Sequence, residues 1–213
     1  MATTTVTPKN IHTKILAGHC FCGKCTYTIN PNIQLTGTQE RFITEFGTNI
    51  LPFHDHCSDC RRATSGLLTS YFIIPPPYIS FGLNSPLKAF RSSKDTVERT
   101  FCSDCGTHLT YQRLNAQQHF GTMDVAIGTL CEADLQKLDE LGLTPTKLHV
   151  WWGDGVGWYQ KEVLRSAEEN QIRAFKGGNL KPELEVTDVR VKCSGEAKIE
   201  MTEKKNGEEG EEL

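Results

Sequence analysis

The chain has 213 residues, an apolar fraction of 38%, a mean hydropathy of −0.40 and a net charge of −3. That length suits one substantial core and favours one domain over two, and the mild acidity offers no global basic field to nucleic acid or an anionic membrane. No run of about 18 apolar residues is present to span a bilayer, and the polar, Thr-rich N-terminus lacks the apolar stretch of a signal peptide. Cytoplasmic residence is therefore expected, with the nucleus as the alternative, and there cysteines persist as thiols or metal ligands rather than disulfides.

Residues 1–13 read as a flexible N-terminal arm. Ile15-Leu16-Ala17-Gly18-His19 runs into a first cysteine cluster, Cys20-Phe21-Cys22-Gly23-Lys24-Cys25. Thr26–Ile29, β-branched and aromatic, predicts a strand. Residues 31–53 read as a long connection with one short strand around Arg41–Phe46. After a second cluster, Asp55-His56-Cys57-Ser58-Asp59-Cys60, the compact Arg61–Gly66 segment predicts a turn opening a short helix. Leu67–Ile74 is the strongest strand signal, stopped by Pro75-Pro76-Pro77.

Short strands are predicted at Tyr78–Phe81, Leu87–Arg91 and Glu98–Phe101, the last feeding a third cluster, Cys102-Ser103-Asp104-Cys105-Gly106. His108–Tyr111 leads back out and Val125–Ile127 is a further strand. Glu132–Leu138 is the clearest helical segment. Leu148–Trp152 reads as the final strand. Beyond Gly157 apolar periodicity is thin, so residues 161–194 read as a C-terminal extension and 195–213 as an acidic disordered tail. The expectation is a mainly β protein, many short strands around metal knuckles with little helix.

Seven of the nine cysteines fall in the three clusters, and the last two clusters are Cys-x-x-Cys pairs. Such a turn aims two sulfurs at one point, and a following glycine adopts φ > 0 at low cost. Zn²⁺ takes four such ligands in a tetrahedron, so one half-site needs another from elsewhere in the chain. More than one half-site in one chain predicts a zinc protein.

Several segments together resemble successive signatures of one family. They are Gly18-His19-Cys20-Phe21-Cys22-Gly23, then His56-Cys57-Ser58-Asp59-Cys60-Arg61-Arg62-Ala63-Thr64-Ser65-Gly66, then Phe90-Arg91-Ser92-Ser93 and Arg99–Thr107. Ile127-Gly128-Thr129-Leu130 and Leu148-His149-Val150-Trp151 fit its C-terminal part. The chain resembles the glutathione-dependent formaldehyde-activating enzymes (the GFA domain), a family that also contains centromere protein V. The resemblance covers about residues 14–160, read here as one GFA-like zinc domain.

The resemblance implies a β-tent, with twisted sheets of short strands pinned by zinc, and two zinc ions per chain. By position, Cys20, Cys22, Cys102 and Cys105 would form a closed structural site. The family's second site uses three cysteines, and the matching positions are Asp55, Cys57 and Cys60. Aspartate in place of the first cysteine is the main departure. Asp55 is either a zinc ligand, which preserves an open catalytic position, or an acid or base beside a zinc held weakly or by His54, His56 or Cys25. A third reading leaves this half-site empty. The segment between Cys22 and Asp55 also looks longer than the family's and could form a lid.

Other residues carry paired readings. Cys25 is either a neighbour of the second zinc or a buried inert thiol. Cys131 and Cys193 read as ordinary cysteines, and His149 as structural. Arg61 and Arg62 could hold a substrate carboxylate or simply be solvated. Of Trp151 and Trp152, adjacent on a strand, one faces inward, and the outward one, taken as Trp151, could floor a pocket.

The function expected from the resemblance is a zinc-dependent carbon–sulfur lyase acting on a thiol adduct of a small carbonyl compound, as in S-hydroxymethylglutathione formation. Asp55, Cys57 and Cys60 would be the catalytic set, and Arg61, Arg62 and Trp151 the substrate contacts. A hard oxygen ligand makes zinc a stronger Lewis acid, which admits a diverged metabolite-tailoring reaction. The alternatives are a non-catalytic carrier of glutathione or another small molecule, and a zinc scaffold for a protein partner. Macromolecular binding of the centromere protein type calls for basic stretches, which this acidic chain does not supply.

Overall fold

The computed structural model describes residues 11–94, 96–114, 120–145, 147–166, 172–175 and 185–186. Most of the expected arm and all of the expected acidic tail lie outside them. The described strands are β1 (Leu16–His19), β2 (Thr26–Ile29), β3 (Leu51–Asp55), β4 (Thr69–Ile74), β5 (Ile79–Phe81) and β6 (Leu87–Ser92). They continue with β7 (Val97–Cys102), β8 (His108–Arg113), β9 (Met123–Ala126), β10 (Leu148–Val150), β11 (Arg173–Phe175) and β12 (Glu185–Val186). The helices are α1 (Thr38–Phe46), α2 (Ser58–Thr64), α3 (Glu132–Leu135) and α4 (Gly157–Ser166). Strands predominate in twisted sheets, the expected mainly β class. Among the described residues no helix is long and apolar enough to cross a membrane.

The contacts divide the chain into two compact units. The first is built from the chain up to Pro52 and from Ser70–Thr144, the second from Phe53–Thr69 and from Pro145 onward. In the first unit, β1, β2 and β5 form an antiparallel sheet in the order β1-β2-β5. Strands β4, β9, β8, β7 and β6 lie side by side in that order, also antiparallel. Alternation decides which side chains go inward: on β2, Tyr27 and Ile29 are buried while Thr26 and Thr28 are exposed. The core joins Leu16, Tyr27 and Ile29 to Phe72, Ile74, Leu109 and Val125, and Cys20, Cys25 and Cys102 belong to the same buried cluster. A register shift between Thr100 and Phe101 ends regular β7–β8 pairing at the third cysteine cluster.

In the second unit the strand order is β12-β11-β10-β3, with β10 parallel to both β3 and β11. The β3–β10 register sets His149 opposite His54 and Val150 opposite Asp55. Trp152, Ile172 and Ala174 make a small core, with Val163 packed against it.

Two expectations are corrected. The strand expected at Arg41–Phe46 is helix α1: Phe42 and Phe46, one turn apart, stack with centroids 5.0 Å apart and both meet Phe120. Gly47 then closes the helix in the left-handed region (φ 66°), its N–H bonded to the Ile43 carbonyl. The strand expected over Leu148–Trp152 stops at Val150, because Trp151 is itself left-handed (φ 54°) and Trp152 opens a 3₁₀ turn. After Gly157, where apolar periodicity is thin, α4, β11 and β12 occupy part of the described chain. The short helix near Arg61 is present but starts earlier, at Ser58, and so includes Cys60.

Candidate metal centres

The first centre lies in the first unit. The Sγ atoms of Cys20, Cys22, Cys102 and Cys105 all lie within 4.8 Å of one another. Cys20 and Cys22 are 3.4 Å apart and Cys22 and Cys102 3.8 Å. A zinc tetrahedron with bonds of about 2.3 Å has sulfur–sulfur edges of about 3.8 Å, so the set fits a zinc ion.

Two matching turns build it. In the first, the Gly23 N–H donates to the Cys20 carbonyl and the Cys20 N–H to the Cys25 carbonyl. In the second, the Gly106 N–H donates to the Cys102 carbonyl and the Cys102 N–H to the Thr107 carbonyl. Gly23 (φ 75°) and Gly106 (φ 74°) hold the left-handed conformation that lets each turn close. An exposed Lys24–Asp104 ion pair of 2.6 Å bridges the turns. The Thr107 hydroxyl, 3.2 Å from Cys105 Sγ, accounts first for a thiol held down to about 5, well suited to metal binding as thiolate.

The second centre lies in the second unit. One carboxylate oxygen of Asp55 and the Sγ atoms of Cys57 and Cys60 lie within 4.8 Å of one another. Asp55 ends β3, Cys57 caps α2 and Cys60 sits in its first turn, so a strand-to-helix corner gathers the three. The Cys57 N–H donates to Asp55 Oδ1 at 2.8 Å, turning the carboxylate back over the corner. The Cys57 thiol is held down to about 7, chiefly by its hydrogen bond with Cys60 and against the opposing effects of burial and of the Asp55 charge. Two sulfurs and one carboxylate oxygen are a recognised zinc donor set, and the group has three donors, not four.

The other residues singled out from the sequence fall as follows. Cys25 is fully buried in the core cluster that includes Cys20 and Cys102, its N–H bonded to Cys20 Sγ at 3.2 Å, and it belongs to neither donor group. His56 is also fully buried, and its Nε2 is bonded to His149 Nδ1 at 2.9 Å. Trp152 is the inward tryptophan and meets both rings edge-on. Burial holds His54 and His56 down to about 4, as neutral rings. Arg62 Nη1 donates to the Ser58 carbonyl within its own helix. Arg61 keeps a buried Nε with no hydrogen-bond partner among the described residues. Trp151 is half-buried. The pairing of His56 with His149 was not legible from the chain, because it depends on β3 and β10 lying side by side.

A family model described as glutathione-dependent formaldehyde-activating enzyme matches residues 15–154. A solved crystal structure of a Rhodobacter sphaeroides protein is similar at 18% identity and a TM-score of 0.38, covering 56% of this chain and 94% of that one. A comparison with curated proteins gives no match.

Proposed function

We propose, from the premise that this chain belongs to the family of glutathione-dependent formaldehyde-activating enzymes, that it is a zinc-dependent carbon–sulfur lyase acting between a thiol such as glutathione and a small carbonyl compound. In the direction of synthesis, the thiol sulfur bonds to the carbonyl carbon, the carbon–oxygen π bond breaks, and the thiol proton ends on the oxygen. The observation that carries this reading is the donor count. Among the described residues the first centre gathers four sulfurs and the second three donors, so a tetrahedral ion held there would keep one position for substrate.

A zinc ion held at the second centre supplies Lewis acidity toward a carbonyl oxygen or a thiol sulfur. The chain's own residues do the remaining work. Asp55, fastened by the Cys57 N–H, keeps a carboxylate oxygen beside the two sulfurs, which favours its role as ligand. We assign the substrate carboxylate to Arg61 ahead of Arg62, because the buried Arg61 Nε has no hydrogen-bond partner among the described residues whereas Arg62 bonds its own helix. Trp151, half-buried just past the end of β10 with a left-handed backbone (φ 54°), is the tryptophan we assign to the substrate.

The test is zinc per chain together with adduct formation from glutathione and formaldehyde, followed by NMR, for wild type and Asp55→Ala. The expected result is two zinc ions and turnover in the wild type, and about one zinc ion and no turnover in the variant. One zinc ion in both proteins would sink the catalytic centre.

A further inference from the structure

The corner that carries Asp55, Cys57 and Cys60 is held by β10. Val150 stands opposite Asp55 in the β3–β10 register, and its carbonyl accepts the His56 N–H at 3.0 Å, one residue past the end of β3. Along an extended chain alternate side chains fall on opposite faces, so His54 and His56 share one face and Asp55, a member of the donor group, takes the other. On the histidine face the His149 ring meets both, with centroids 5.0 Å from His54 and 5.2 Å from His56. Its Nδ1 lies 2.9 Å from His56 Nε2. Trp152 closes edge-on against His56 and His149, at 4.8 and 5.4 Å. His56 is 0% exposed and His149 2%, so water does not stand in for the bond between them. The other nitrogen of His56, Nδ1, has no hydrogen-bond partner among the described residues, which leaves Nε2 as the atom that orients the ring.

Two apolar rings would join these strands with less desolvation; what a buried hydrogen bond adds is direction. We infer that His149, acting through His56, is a positioning residue for the second centre, setting how far Asp55 lies from the sulfurs of Cys57 and Cys60. The inference rests on an ion being held there, the premise of the function proposed above. Asp55 and Cys57 flank His56 in the chain, so a turn of its ring away from His149 shifts both donors. A metal site works only when its donors are held within about 0.5 Å of the productive geometry.

The test is the affinity of the full-length protein for Co²⁺ at the second centre, the ion that Asp55→Ala gives up, read by visible absorption in competition with a chelator. The variants are His149→Phe, His56→Asn and His56→Gln. Phenylalanine keeps a ring against Trp152 and removes the nitrogens. Glutamine carries its amide group near the position of imidazole Nε2 and asparagine near that of Nδ1, so His56→Gln retains the bond and His56→Asn loses it. Lost supporting bonds cost a metal site about 10–100-fold in affinity, so His149→Phe and His56→Asn should each bind the second Co²⁺ at least about 10-fold more weakly, with a shifted absorption. His56→Gln should stay near the wild-type affinity. The Co²⁺ held by the four cysteines should be unchanged in all three.

A pair that served only packing would lower the thermal midpoint and leave the second Co²⁺ affinity where it was. Wild-type affinity in both His149→Phe and His56→Asn therefore overturns the inference, as does His56→Gln binding as weakly as His56→Asn. If His149→Phe does not fold, the two His56 variants decide alone. A wild-type chain that takes up a single Co²⁺ overturns the inference together with the proposed function, whereas two bound ions with unmoved affinities overturn the role of His149 only.

Discussion

The two candidate centres each contain a Cys-x-x-Cys pair and use it to opposite ends. The first draws its four sulfurs from turns 80 residues apart and closes each turn with a left-handed glycine. The second gathers its three donors from six consecutive residues at one corner, where the chain passes from β3 into α2. A site assembled from distant segments is a crosslink, and binding an ion there is part of folding. A local site crosslinks almost nothing, so its donors can change without loss of the fold. The donor that is not a cysteine, Asp55, belongs to the second centre and not the first.

The largest effect should follow from breaking the crosslink. Cys102→Ser removes a buried ligand and leaves three sulfurs around the ion. Structural zinc is worth about 10–16 kcal/mol in small zinc domains, comparable with the whole stability of a domain. Loss of the cooperative thermal transition, read by circular dichroism, is expected; a Tm within a few degrees of wild type would show that the four-sulfur centre is not structural.

Asp55→Ala should behave oppositely. One zinc ion and the activity are lost, while the transition in the first unit persists. If Asp55→Ala unfolds the protein as Cys102→Ser does, the contrast between a crosslinking and a local centre fails.

Acid sharpens the comparison through a group outside both ligand sets. His108, in the first unit, accepts or donates a hydrogen bond with the Tyr71 hydroxyl at 3.0 Å, and burial first, then the Arg99 charge, hold it down to about 4. The unfolded chain takes up that proton near the ordinary value of about 6.5. Between those values the unfolded state binds more protons, so the stabilisation is complete above about pH 6.5 and lost as pH falls toward 4. At about 1.4 kcal/mol per unit the ceiling is about 3 kcal/mol. Urea midpoints at pH 7 and 4.5 should fall less in His108→Gln than in wild type, and equal falls would remove His108 from the account.

The smallest effect is conformational. A Cβ at Gly106 meets nothing within 4 Å, so Gly106→Ala costs only the left-handed backbone, about 1–2 kcal/mol. Ser65, which ends α2 at φ 59°, already bears that strain, so Ser65→Gly should stabilise by a smaller amount. Thermal midpoints of the two variants, moving in opposite directions, check this.

The strand ladder from Thr69 to Arg113 was largely legible, because alternation and proline stops act within a few residues. Helix α1 was not. Arg41-Phe42-Ile43-Thr44 has the β-branched and aromatic composition of a strand, and what overrides it is the packing of Phe42 and Phe46 with Phe120, far along the chain. Trp151 escaped the strand reading for a related reason: a left-handed residue has no composition signal unless it is glycine or asparagine.

By itself the sequence determined three cysteine clusters and a run of short strands between them, set by spacing and residue type, while the family resemblance singled out Asp55 at the second cluster. Only the tertiary structure decided which cluster each remaining group serves. Cys25 joined Cys20 and Cys102 rather than Asp55, and His56 turned to His149. Ligand identity is a property of a few neighbouring residues. The surroundings that hold a ligand come from strands brought together across the chain, and no local pattern records them.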